Sequence, residues 1–243
     1  ILSIIVGYFM LKNQKMKTLQ LQKENELKDA LLKIETQNRL QEQRLQISRD
    51  LHDNIGAQLT FIISSVDSLK YAFADGNPKL EDKLNNISSF TKETIYELRD
   101  TIWAMNKEEI TIEDLKTRIS NFIDNAQLSL NGIRFNFNFD TKSFQSFSSR
   151  DGMNIYRLIQ EAVNNAIKHA KASQIDVSLT ESENEITIAI ADNGTGFDLA
   201  TAEVGNGLNT MKKRASELKG NFNIEASEKG TKIYLSLPNQ NEV

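Results

Sequence analysis

Residues 161–170 read Glu161-Ala162-Val163-Asn164-Asn165-Ala166-Ile167-Lys168-His169-Ala170, and residues 192–197 read Asp192-Asn193-Gly194-Thr195-Gly196-Phe197. In the first stretch Glu161, Asn165 and Lys168 are spaced by four and three, which puts a carboxylate, an amide and a cation on one face of one helix. Hard oxygen ligands in that order suit Mg²⁺ with its phosphates, while an ammonium group neutralises the phosphate chain. The second stretch closes a strand-like run. Its carboxylate can accept a hydrogen bond from an exocyclic amine, and its glycines let backbone approach a flat ring. Gly205-Asn206-Gly207-Leu208 then opens a helix, whose free amide groups can bind phosphate. Each glycine pair alone would pass for an ordinary turn.

Outward from these motifs the pattern describes an α+β unit. Thr111 and Asp114 make a capping box that opens a helix ending near Asn131-Gly132. Ile133, Phe135, Phe137 and Phe139 alternate with polar residues, the period of a half-buried strand. Ser149 is placed to cap a helix running to about Ala170. Strand-like segments follow at 175–180 and 186–191, then a helix near 208–218, then strands at 222–226 and 232–237 split by Lys229-Gly230. This order predicts a two-layer sandwich, with helices on one face of a mixed sheet.

Upstream the pattern is helical throughout. Leu51, Ile55, Leu59, Ile62, Val66 and Leu69 step by four or three along one helical face, and Leu80, Leu84, Ile87, Ile95, Leu98 and Ile102 form a second stripe. Asp75-Gly76-Asn77-Pro78 is turn chemistry between them. Two such helices bury only one seam, whereas two hairpins from two chains close a four-helix bundle, so a homodimer is expected. Before the hairpin, residues 13–46 hold no proline or glycine. Leu19, Leu27, Leu31, Ile34 and Leu45 give an interrupted seam there, which reads as a weak two-stranded coiled coil.

The chain holds two histidines, and one of them, His52, lies in Ser48-Arg49-Asp50-Leu51-His52-Asp53-Asn54-Ile55-Gly56, one residue off the apolar stripe. An edge-facing imidazole is open to solvent. Neutral imidazole is a good nucleophile near neutral pH, and a carboxylate such as Asp53 at one ring nitrogen leaves the other free to attack.

These motifs together resemble the N, G1 and G2 boxes of the GHKL ATPases, and the segment around His52 is similar to the R-D-L-H-D phosphoacceptor helix of sensor histidine kinases. The resemblance covers about Leu45 to Pro238. It implies ATP and Mg²⁺ as cofactors, His52 as the phosphorylated nucleophile and Asp53 as its general base. It also implies that Asn165 binds Mg²⁺ with support from Glu161, and that Lys168 and His169 lie close to the phosphates. Asp192 would read the adenine amine, and Gly194 and Gly196 would shape the adenine pocket. Gly205, Gly207 and Leu208 would frame a lid over the phosphates, and Thr231 would complete the nucleotide pocket. The phosphoryl group would pass on to an aspartate of a response regulator. One departure stands out: where this subfamily commonly has a glutamine, five residues after the histidine, the chain has Ala57, with Gln58 beside it. This puts phosphatase activity toward the regulator in doubt and leaves kinase activity untouched.

The expected organisation is the cytoplasmic end of a transmembrane helix at 1–11, a coiled-coil signalling helix at 12–46, a dimerisation and phosphotransfer domain at 47–106 and an ATP-binding domain at 107–243. The first assignment rests on the apolar run Ile1–Leu11, which ends at Lys12, Lys15 and Lys17. It implies a bacterial cytoplasmic membrane location with the catalytic part in the cytoplasm. The run alone would span roughly 16 Å, about half of a bilayer core. Composition limits the rivals. With 33 acidic and 29 basic residues and a net charge of −4, no basic footprint for nucleic acid exists, so no nucleic-acid partner is expected. The absence of cysteine removes disulfides, thiolate metal sites and a cysteine nucleophile. Neither a Walker-A sequence nor the protein-kinase glycine loop occurs. A nucleotide-gated dimeric scaffold without transfer, or another kind of GHKL ATPase, are the alternative readings.

Overall fold

A computed structural model describes residues 2–73, 77–130, 132–141, 145–197 and 206–239. Gly205, Asp75, Gly76 and Asn131, all singled out above, lie outside the described residues. The chain divides into two compact units, Ile1–Leu98 and Arg99–Val243.

The first unit is helical. Helix α1 (Leu2–Asp50) passes without a break into a π-helical segment, Leu51–Gly56, which continues as α2 (Ala57–Phe73). Helix α3 (Pro78–Met105) begins with proline at its first position, where a missing N–H costs nothing, and Asn77 Oδ1 accepts the Leu80 amide at 3.2 Å. Lys70 Nζ donates to Asn85 Oδ1 across the hairpin at 2.6 Å. The stripe expected on α2 is buried only at Val66, while Ile55, Ile62 and Leu69 stay exposed; on α3 Leu84, Ser88 and Thr91 are buried and Ile87 is not. A single hairpin thus covers one of two apolar seams, as the packing argument requires. Among the described residues no helix is long and apolar enough to cross a membrane.

The second unit holds a five-stranded sheet in the order β2-β4-β5-β7-β6. Its strands are β2 (Arg134–Asp140), β4 (Gln174–Glu181), β5 (Glu185–Asp192), β6 (Asn221–Ser227) and β7 (Gly230–Pro238). The pair β2 and β4 is parallel and every other pair is antiparallel. A parallel pair needs a long crossover, and α5 (Ser149–His169) supplies it. Helices α4 (Ile112–Ser129) and α6 (Asn206–Glu217) complete the helical layer. Ile175, Val177, Ile188, Ile190 and Leu235 point from the sheet into one core with Leu115, Ile119, Leu158, Val163 and Met211 from the helices. The mixed-sheet, two-layer expectation holds.

Two local readings change. A two-stranded ribbon, β1 (Glu109–Thr111) with β3 (Ser146–Ser148), was not anticipated, because three residues are too few to display a period. The cap of α5 is Ser148 and not Ser149: the Ser148 hydroxyl accepts the Asp151 amide at 3.1 Å, while the Ser149 hydroxyl donates to the carbonyls of Lys107 and Glu108. The capping box at α4 forms as read, with Asp114 N to Thr111 Oγ1 and Thr111 N to Asp114 Oδ2 both at 3.1 Å. The compact units divide at Leu98/Arg99, inside α3, because the last turns of that helix pack with the second unit. Asp100 is buried and ion-paired with Arg118, and it accepts from Gln160 at 3.2 Å. Arg118 in turn lies 5.0 Å over the Trp103 ring.

Candidate functional site

His52 sits in the π-helical segment with its side chain 69% exposed, and Asp53 beside it is 77% exposed. His52 Nδ1 lies 3.2 Å from Asp53 Oδ1. An N–H at Nδ1 donating to that carboxylate fixes the tautomer and leaves Nε2 as a lone-pair nitrogen facing water. Short π-helical turns inside α-helices recur at functional positions. Nothing in the sequence announces this one, since the only glycine in it, Gly56, stands at its last residue. Ala57 and Gln58 are both exposed on the first turn of α2.

In the second unit α5 supplies the frame. Ile155, Leu158, Ile159, Ala162, Val163 and Ala166 face the core, which leaves Glu161 and Asn165 half-buried at the helix edge. Asn165 Nδ2 donates to Glu161 Oε1 at 3.4 Å, and among the described residues Asn165 Oδ1 and the second Glu161 oxygen remain available as hard ligands. Gly207, at the start of α6, lies so close that a methyl group there would collide with Glu161 Oε1 and come within 3.5 Å of Asn165 Nδ2. The structure therefore brings Glu161, Asn165 and Gly207 together. Leu208 is half-buried against the core beside them. Lys168 and His169 are exposed in the last turn of α5.

The Asp192 loop seats on the C-terminal end of the same helix. Thr195 N donates to Ala170 O at 2.9 Å, and Ala170 follows Asn165 by five residues, about 7.5 Å of helix axis. Asp192 Oδ1 accepts the Gly194 amide at 2.9 Å. Asn193 Oδ1 accepts both the Ser173 and Gln174 amides at 2.9 Å and so locks the start of β4 to the end of β5. The two glycines of this loop serve a purpose the sequence reading missed. A methyl group on Gly194 would strike the Ala170 carbonyl, and Gly196, at φ +55°, approaches the Ser227 carbonyl equally closely. They let protein backbone meet protein backbone, which holds the loop onto α5 and onto the turn between β6 and β7. Thr231 lies half-buried just after that turn, paired with Ala226.

Residues 43–110 match the family described as histidine kinase, and residues 150–241 match histidine kinase-, DNA gyrase B- and HSP90-like ATPases. The chain belongs to the histidine kinases. It is 30% identical over 198 residues to the sensor histidine kinase YxjM of Bacillus subtilis, covering 81% of this chain and 48% of that protein. It is 28% identical over 205 residues to the signal transduction histidine-protein kinase/phosphatase DegS of Brevibacillus brevis, covering 82% and 52%. The chain thus spans about half the length of the curated relatives it matches. Among solved structures, the Acinetobacter baumannii histidine kinase AdeS has a TM-score of 0.50 at 16% identity, covering 76% of this chain and 98% of that one, a likeness of fold alone.

Proposed function

We propose that the protein is an ATP-dependent protein-histidine kinase that phosphorylates His52 and passes the phosphoryl group to an aspartate of a response regulator. The observation that carries this reading is the exposed His52 with Asp53 at Nδ1, on a chain that also bears a GHKL-type ATPase domain. In the reaction Nε2 of His52 attacks the γ-phosphorus as the bond to the β,γ-bridging oxygen breaks and ADP leaves. Asp53, accepting the Nδ1 proton in a hydrogen bond, stabilises the positive charge that develops on the ring.

The nucleotide falls to the second unit. Asp192 would accept the adenine amine, Lys168 and His169 would lie close to the phosphates, and Gly207, Leu208 and Thr231 would border the pocket. Glu161 and Asn165 fit Mg²⁺ by the chemistry of their oxygens. Among the described residues no three His, Cys, Asp or Glu side chains gather to hold a metal, which suits a cation shared with phosphate oxygens and water. Bound there, Mg²⁺ would neutralise charge on the transferring phosphoryl group. The rest of the rate enhancement is positioning.

Residues 47–106 serve as the dimerisation and phosphotransfer domain and 107–243 as the ATP-binding domain. The exposed seam of Ile55, Ile62 and Leu69 supports a homodimer. The exposed apolar residues Ile5, Tyr8, Phe9, Met10 and Leu11, ahead of three lysines, support attachment to the bacterial cytoplasmic membrane through α1. Ala57 weakens regulator dephosphorylation, since its methyl group has no polar atom to orient water. Incubation with γ-labelled ATP and Mg²⁺ tests the reading. Label that is acid-labile and lost in His52→Ala supports it, whereas nucleotide binding without label would point to a non-transferring scaffold.

A further inference from the structure

We propose that Asn154 and Glu217 are positioning residues that aim the N-terminus of α6 at the triphosphate; this rests on the nucleotide site described above. Asn154 is 7% exposed, on the second turn of α5 and seven residues before Glu161. Two helical turns separate them, so Asn154 lies on the same edge of α5 as Glu161 and Asn165. Both ends of its amide are used, and both partners belong to α6. Oδ1 accepts from Arg214 Nη1 at 3.2 Å, and Nδ2 donates to Glu217 Oε2 at 3.2 Å. Only one orientation of the amide satisfies both. Glu217 is also held by Arg150 Nη2 at 3.1 Å, so the first turns of α5 and the last turn of α6 are tied in one network.

The opposite end of α6 is where Gly207 meets Glu161 and Asn165. Helix α6 therefore runs antiparallel to α5, clamped at its C-terminal end and presenting its free amide groups at the N-terminal end. Its apolar contacts, Met211 and Ala215, press it onto the core. Apolar packing is non-directional and leaves a short helix able to roll or slide. Two directional hydrogen bonds to one buried amide remove that freedom. Over 12 residues the helix acts as a rod about 18 Å long, so a small tilt at Asn154 displaces the amide groups at Gly207.

The test is equilibrium binding of Mg-ATP and of adenosine to the full chain, for wild type, N154A, N154D and the double variant N154D/E217Q. N154A removes both bonds, and N154D sets a carboxylate against Glu217. Each is expected to weaken Mg-ATP about tenfold while changing adenosine by less than about twofold, the scale of one or two lost buried hydrogen bonds. The double variant keeps the carboxylate acceptor for Arg214 and supplies a donor from position 217 toward position 154, so Mg-ATP affinity should return to within about threefold of wild type. Equal losses for ATP and adenosine, unchanged ATP affinity in N154A and N154D, or no rescue in the double variant would each overturn the proposal. A wild type that binds adenosine and ATP alike would instead bring down the underlying phosphate-site reading.

Discussion

The helical unit and the sheet unit treat their apolar residues in opposite ways. In the sheet unit Leu115, Ile119, Leu158, Ile188 and Leu235 are fully buried in one core shared by helices and strands. In the hairpin Val66 and Leu84 are buried, yet Phe61, Ile62, Leu69, Tyr71 and Phe90 remain in solvent. The sheet unit is complete as a single chain, and the hairpin is not. The difference matches the division of labour: a nucleotide pocket needs fixed geometry within one unit, whereas a phosphoacceptor must stay open to a donor and to a receiver. His52, the proposed nucleophile, is accordingly exposed, and Glu161 and Asn165, the proposed ligands, are half-buried.

The contrast breaks most visibly if the sheet core tolerates a cavity. Leu158→Ala should cost about 2–5 kcal/mol in denaturant unfolding of the sheet unit, and a loss near zero would mean that its core is not the source of its stability. A pH titration sharpens the same point. Burial, together with the Asp100 charge, pushes the Tyr156 phenol up from 10.0 to about 12. The folded state thus keeps a proton that the unfolded chain loses between pH 10 and 12. Stability is unaffected below pH 10 and falls as pH rises through this window, by about 2–3 kcal/mol in all. Tyr156→Phe should remove that part of the alkaline slope, and an unchanged slope would contradict the assignment. Thr111→Ala, which breaks the α4 capping box, should cost about 1 kcal/mol. The smallest stability effect is expected at the hairpin's open seam. Ile62→Ala should change the unfolding energy of the dilute chain by less than about 0.5 kcal/mol. Sedimentation velocity of Ile62→Asp should nevertheless show a monomer at concentrations where wild type is dimeric.

Much of this organisation was legible in the sequence, for reasons that can be named. The alternation of Phe135, Phe137 and Phe139, the Thr111–Asp114 box and the four-and-three spacing of Glu161, Asn165 and Lys168 each report a local period or a cap, and local geometry depends on nearby residues. What stayed hidden depends on distant ones. The β1–β3 ribbon joins segments 37 residues apart through strands too short to carry a pattern. The fit of Gly194 and Gly196 against the Ala170 and Ser227 carbonyls is a contact between remote turns, which a glycine in a sequence cannot name. Asp100 reads as one more polar residue on α3, and only the fold reveals that it is buried against Arg118. Asn154 likewise looks like a solvated position on an amphipathic helix until α6 is laid over it.

The central claim is that Nε2 of His52 receives the γ-phosphoryl group. Tandem mass spectrometry under neutral conditions, after incubation with Mg-ATP, tests it most directly by locating the modified residue. The account predicts phosphate on the His52 peptide, lost on brief acid treatment and absent from His52→Ala. Acid-stable phosphate on a serine or threonine, or release of free phosphate with His52 unmodified, would contradict it.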